Sequence, residues 1–236
     1  MNIHNTEKAD SYKIFNRIHK RYDFLNRVFS FGQDIFWRYK VSQRIDKTEN
    51  QLLLDLACGT GDVAFSLLKH APQISHAYGL DMAQNMLDIA AKKASRKKLI
   101  PKISFLKGDA SSLPIPDESM NITTMAFGIR NVPDPLTVLN EMKRVLKPSG
   151  KTLILEFSLP QNPILKILHL FYLRFIIPPI GALISQDRFA YRYLNLTIES
   201  FPYGKAFCEL MKEAGFKKVV YTPLTFGVVT LYQGEK

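Results

Sequence analysis

The sequence predicts an α/β protein with a doubly wound, mostly parallel seven-stranded sheet, helices on both faces and an antiparallel last strand. Apolar runs of strand length alternate with amphipathic stretches of helix length, the signature of a parallel sheet covered on both sides. A glycine turn joins the first run to the first helix. The last two strand-like runs are separated by only Thr222-Pro223-Leu224-Thr225-Phe226-Gly227, too short for a helical crossover, so they pair antiparallel.

The elements follow in order. QLLLDLA (51–57) reads as a strand stopped by Cys58-Gly59-Thr60-Gly61, with an amphipathic helix over 62–71. A strand over 76–81 precedes a helix over 84–98. Strands over 103–109 and 121–127 come next. A helix over 135–146 ends at Lys147-Pro148-Ser149-Gly150, and KTLILEF (151–157) is the fifth strand. Runs 217–221 and 228–232 complete the sheet. Two regions stand outside the alternation: a basic, aromatic segment within residues 1–50, and residues 158–200, which hold the most apolar stretch. One domain over 1–236 is therefore expected, with an N-terminal helical cover (1–50), a core (51–157), an apolar helical insertion (158–200) and a C-terminal helix with antiparallel strands (201–236).

Composition narrows the class. With 236 residues, 46% apolar and 22% charged, and only 12 Gly and 13 Pro, the chain buries a substantial core, which excludes collagenous and disordered classes. Two cysteines, Cys58 and Cys208, give neither a disulfide framework nor zinc spacing, so no metal is expected. The start MNIHNTEKADSYK lacks the apolar core of a signal peptide, and a cytoplasmic location is expected. A net charge of +11 points to an anionic partner: nucleic acid, an acidic substrate or a membrane surface.

Gly59-Thr60-Gly61 with Ala64 fits GxGxx(G/A), and Asp81 follows Gly61 by 20 positions, where an acid holds ribose hydroxyls. Asp55, four residues before Gly59, would repel a pyrophosphate, so the cofactor carries positive charge there. S-adenosylmethionine has an α-ammonium and a sulfonium and no phosphate. Asp109-Ala110 ends the third strand, where a carboxylate and nearby backbone accept from an adenine amino group. Strand-end carboxylates also cap helices. Three of them at the carboxyl edge beside a glycine turn favour the cofactor.

LDLACGTGD (54–62), GLD (79–81), GDASSLPIPD (108–117) and RVLKPSG (144–150) resemble the Rossmann-like class I S-adenosylmethionine methyltransferases. YDFLN (22–26), FGIRNV (127–132), LEFS (155–158) and AYRYL (190–194) are similar to the ubiquinone/menaquinone biosynthesis C-methyltransferases, over nearly the whole chain. The resemblance implies methylation of a polyprenylated quinol ring: demethylmenaquinol to menaquinol, or a 2-methoxy-6-polyprenyl-1,4-benzoquinol. The electrophilic methyl requires the reduced ring. Cofactor contacts are then expected from Asp55, Gly59, Thr60, Gly61, Asp81, Asp109, Ala110 and Ala126, the last standing where many members place a serine. Arg130 and Asn131, after the fourth strand, are the catalytic candidates: Arg130 to stabilise a phenolate or order a water, since guanidinium stays protonated, and Asn131 to orient the hydroxyl. Tyr22 and Asp23 from the cover are candidates for ring positioning or proton acceptance. An RNA or other small-molecule methyltransferase is the alternative reading.

Residues 164–184 reach the length of a membrane span, but Lys166, Arg174 and Pro178-Pro179 interrupt them. Asn162-Pro163 starts a helix expected to stop before Pro178, either as a buried core helix or in contact with a quinone tail or membrane. The run from Lys92 to Lys107, with seven cations and no acid, is read as mainly a solvated face on the amino edge of the sheet. The segment 13–40, with Lys20, Arg21 and Arg27 among aromatics, suits an anionic membrane and also single-stranded RNA. Nucleic acid is the less favoured partner. A homodimer or a biosynthetic complex is left open.

Overall fold

Strands β1 (Gln51–Leu56), β2 (Ile74–Asp81), β3 (Ile103–Lys107), β4 (Met120–Ala126), β5 (Leu146–Phe157), β6 (Lys217–Leu224) and β7 (Val229–Glu235) form one sheet in the order β3-β2-β1-β4-β5-β7-β6. The structure, a computed structural model, describes residues 8, 10–185 and 187–236, with Lys20 and Arg188 by backbone alone. Strands β1 to β5 are parallel, and β7 runs antiparallel to both β5 and β6, as the short last connection requires. The chain steps outward from β1 to β3 and then returns to lay β4 against the other side of β1. The topological switch therefore falls between β1 and β4, where Asp55 pairs with Thr124, and an open α/β sheet offers its ligand crevice there.

Alternation along β1 supplies both faces of the core. Leu54 and Leu56 pack with Leu139 of helix α6 (Pro135–Val145) and Phe207 and Met211 of α10 (Lys205–Glu213). Leu53 faces the other way, onto Leu67 of α4 (Asp62–His70) and Trp37 and Val41 of α3 (Gln33–Ser42). Each such side chain, fully buried, contributes on the order of 1.5–3 kcal/mol. A third cluster lies off the sheet. There Ile14, Ile18 and Leu25 from α1 (Ser11–Ile18) and α2 (Tyr22–Phe29) meet Leu173, Ile177, Tyr191 and Ile198 from the insertion. Trp37 Nε1 donates to Thr225 Oγ1 at 2.7 Å, and Arg17 pairs with Asp187 at 2.8 Å, which fastens the cover at two points.

Two expected boundaries are corrected. Lys147-Pro148-Ser149-Gly150 is not a free turn: β5 starts at Leu146, opposite Met120, and resumes regular register at Lys151 opposite Ile122 after an irregular step. The helix expected to stop before Pro178 instead continues through it. Helix α7 (Pro163–Phe171) passes through one π-turn (Tyr172–Ile176) into α8 (Ile177–Ser185). A proline removes a donor and crowds the carbonyl one turn back, which ordinarily ends a helix. Here Ile177 N–H donates to Tyr172 O, the wider turn places both prolines in the first turn of α8, and Asn195 Nδ2 of α9 (Arg188–Ser200) donates to Leu173 O. The repair comes from a residue 22 positions away, which no local pattern announces.

Candidate active site

The glycine turn is shaped from beneath and open above. Gly61 has φ 84°, and a Cβ there would meet the Phe65 ring at 2.8 Å, so only glycine fits. Gly59, at φ 54°, would meet nothing within 4 Å, because it faces a cavity of about 410 Å³ at the carboxyl edge of the sheet. That volume suits a small cofactor. Gly59, Asp81, Asp109, Ala110 and Ala126 line it, as expected from the sequence. The carboxylate of Asp81 accepts from Gly59 N–H at 2.8 Å and Ala83 N–H at 2.8 Å, which fixes its orientation. Burial raises its pKa, and these N–H groups oppose the shift. Asp109 accepts from Ser111 N–H at 2.8 Å, so it too caps local backbone while edging the cavity.

Asp55, Thr60 and Gly61 do not line this cavity. Asp55 sits within β1 beneath the turn. Its Oδ1 accepts from Thr124 Oγ1 at 2.7 Å, while Oδ2 is buried without a partner. Burial pushes its carboxyl up to about 7, held back by Thr124 and the Ala64 backbone. A positive charge nearby would favour the ionised form of this buried carboxyl with its free oxygen. Thr60 donates to Asp23 Oδ1 at 2.5 Å, and Lys93 Nζ, from α5 (Gln84–Arg96), lies 2.9 Å from Asp23 Oδ2 and 3.1 Å from Thr60 Oγ1 while also pairing with Asp62. Asp23 and Thr60 thus form a clasp between cover and turn, outside this cavity. Lys93 is a correction to the solvated-face reading of the basic run: α5 passes beside the turn, and its long stem carries the ammonium into the clasp.

A second cavity, of about 240 Å³, lies between the cover and the insertion, walled by such residues as Ile14, Leu25, Phe29, Leu173 and Tyr191. The two cavities share Phe15, Tyr22, Phe127 and Asn131. Phe127 adopts φ 57°, a costly conformation for an aromatic residue. Its N–H donates to Leu155 O at 2.8 Å, and its carbonyl accepts from Arg130 Nη1 at 2.7 Å and Asn131 Nδ2 at 3.2 Å. Arg130 is also paired with the fully buried Glu156 at 2.6 Å and lies 5.1 Å over the Phe157 ring, and its Nε is buried without a partner. Burial raises the pKa of Glu156 and the guanidinium opposes it. Asn131 Oδ1 is buried without a partner. Tyr22 is held as a neutral phenol, its pKa raised by burial.

Sequence reasoning missed the shared wall itself. Phe127 opens the FGIRNV segment, so its place beside the catalytic candidates was a readable signal. Phe15 carried none beyond its aromatic character. His169 was also missed. It lines the second cavity with Nε2 buried and unpaired, and burial pushes its pKa down to about 4, so it is neutral. A lone polar ring in so apolar a run was the available clue.

Fold and cavities define a doubly wound enzyme with a nucleoside-type cofactor crevice opening onto a separate apolar chamber. The fold is that of the S-adenosylmethionine-dependent methyltransferases: a solved structure of one from Aquifex aeolicus superposes with a TM-score of 0.65 at 18% identity, covering 90% of this chain and 97% of that one. The sequence model of the ubiE/COQ5 methyltransferase family matches residues 2–236, and the chain belongs to that family. It is 42% identical over 228 residues to a ubiquinone/menaquinone biosynthesis C-methyltransferase of Syntrophotalea carbinolica, covering 95% of this chain and 93% of that protein. It is 37% identical over 234 residues to a demethylmenaquinone methyltransferase of Geobacillus kaustophilus, covering 99% and 100%.

Proposed function

We propose that the protein transfers a methyl group from S-adenosylmethionine to a ring carbon of a reduced polyprenylated quinone, of the naphthoquinol or benzoquinol type. The observation that carries this reading is the wall of Phe15, Tyr22, Phe127 and Asn131, which separates a crevice edged by acids from an apolar chamber. Family membership supports it. S-adenosylmethionine, when bound, supplies an electrophilic methyl on a sulfonium. Asp81, Asp109 and Ala110 edge the crevice for its ribose and adenine, Ala126 adds apolar wall, and Gly59 allows close backbone approach. Asp55 contributes charge from below the turn. Thr60 and Gly61 shape the turn.

Across the wall, the quinol ring lies against Phe127 and Tyr22. Asn131 Oδ1 accepts a hydrogen bond from a ring hydroxyl and orients it, and the neutral Tyr22 phenol donates to ring oxygen. Arg130 remains protonated, and its charge stabilises phenolate character in a site that largely excludes water. Asp23 acts through the clasp. Attack of the ring carbon on a bound sulfonium would form the carbon–methyl bond as the sulfur–methyl bond breaks, with the hydroxyl proton and then the ring C–H proton passing to water; because this neutralises charge, the apolar chamber favours it. The protein works from the cytoplasmic face of a membrane, which holds the prenyl tail. The test is incubation of purified protein with methyl-labelled S-adenosylmethionine and chemically reduced quinone, with mass analysis of the lipid. Label on a ring carbon of the quinol alone, and none with the oxidised quinone, is the expected result; label in RNA and none in lipid overturns it.

A further inference from the structure

Helix α7 and its continuation are apolar on two opposite faces. Leu173, Ile177 and Gly181 face inward and are buried, with Tyr191 so close to Gly181 that a Cβ there would clash at 2.5 Å. Ile164, Ile167, Leu168, Phe171 and Phe175 recur at helical spacing and face outward, Ile164 at 69% and Phe175 at 62% exposure. The patch continues onto the cover. Phe31, 79% exposed, packs its ring 5.9 Å from Tyr172, and both residues line the apolar chamber. The exposed surface and the chamber thus meet at one rim.

We infer that this outward face lies flat in the surface of an anionic lipid bilayer and that the prenylated substrate enters the apolar chamber from the membrane past the Phe31–Tyr172 rim. The inference rests on the quinol reading above. Three observations select lipid as the occupant. The exposed patch is continuous with a chamber whose lining suits a prenyl chain. Cations accompany it: Lys166 stands between Ile164 and Ile167 on the helix, and the cover carries exposed Arg21 and Lys40, whose ammonium lies 5.3 Å over the exposed Phe36 ring. The chain carries a net charge of +11, which attracts acidic headgroups.

The same helix, Pro163–Ser185, is long and apolar enough to cross a bilayer. Spanning would pull Leu173, Ile177 and Gly181 out of the protein and break the bonds from Asn195 Nδ2 to Leu173 O and from Tyr172 Oη to Phe29 O at 3.1 Å. A helix with one face committed to the protein and the other free lies in the interface. The basic segment contributes less than its cation count suggests, because Arg27 pairs with the buried Asp34 at 3.0 Å and Arg38 with the same carboxylate at 2.5 Å.

The test uses the full chain, vesicles of phosphatidylcholine with and without phosphatidylglycerol, and the triple variant Ile167→Glu, Phe171→Glu, Phe175→Glu, all at exposed positions. The variant's vesicle-bound fraction and its turnover of a long-chain quinol in vesicles should each fall by at least about tenfold, with turnover of a soluble short-chain quinol within about twofold of the parent. Unchanged vesicle binding overturns the inference. So does a parent dimer that the variant converts to monomer with no lipid effect, since the face then covers a second copy. A parent that binds vesicles yet methylates neither quinol contradicts the functional reading and leaves the interface standing.

Discussion

The two chambers that meet at Phe127 are built on different terms. In the strand-tip crevice, Asp81 is held by two backbone N–H groups and Asp109 by one, so the polar groups stand preset on a rigid sheet. Beneath the cover, the walls are mostly helix side chains, and two polar atoms among them, Asn131 Oδ1 and His169 Nε2, have no protein partner. Recognition of a fixed polar cofactor requires donors and acceptors set beforehand. An apolar chain asks for shape and dryness, which added helices supply. The border between the two is the costliest ground, because Arg130 and Glu156 are buried there as charges.

The largest effect is expected at that border. Arg130→Ala leaves Glu156 buried and uncompensated and frees the Phe127 carbonyl, so denaturant unfolding should show a loss of about 3–5 kcal/mol. Arg130→Lys keeps the charge and loses the fork, and turnover should fall at least about tenfold with cofactor affinity nearly unchanged. Full turnover in that variant removes the guanidinium from the chemistry and leaves it as a brace. Within the strand-tip crevice, Asp81→Ala should weaken S-adenosylmethionine binding at least about a hundredfold, ~2.7 kcal/mol by calorimetry, with the fold retained. A small change would mean that the preset acids are caps and little more.

The pH dependence separates the halves more finely. With its pKa pushed up to about 7, Asp55 is partly protonated in the free protein near neutrality. Between about pH 4 and 7 the folded state holds a proton that the unfolded chain has released, so this group makes folding less favourable as pH rises through that window and adds nothing further above it. A cationic cofactor favours the carboxylate, so affinity should rise up to about fivefold from pH 6 to 7, by about twofold more to pH 8, and level off above. Asp55→Asn should flatten the curve. His169, neutral above about 4, should leave no inflection there. The smallest effect is expected at the clasp: Lys93→Met removes partners from Asp23 and Asp62 and should cost about 1 kcal/mol, diminishing with salt in the parent.

The crevice was legible in the sequence because its constraints are local. A positive φ at Gly61 and an acid at the tip of β2 each leave a mark at fixed spacing, and the alternation of runs marks the sheet as mostly parallel. The apolar chamber was not, since its shape depends on contacts between residues far apart in the chain. Lys93 was read from its neighbours in sequence, all solvated cations, whereas its partners come from residues 23, 60 and 62. Asp55 was placed at a strand tip by counting from Gly59, and burial within β1 put it one layer lower.

The repair of Leu173 O by Asn195 bears on how the helix can meet lipid. On either side of the π-turn lie helical pieces of nine residues each, and a bilayer crossing needs about 20 in one run. Without Asn195, a crossing made of these pieces would carry an unpaired Leu173 carbonyl through hydrocarbon, which costs several kcal/mol. In the folded protein the inner side is tied to Phe29 and Asn195, and only the outer side is left for lipid.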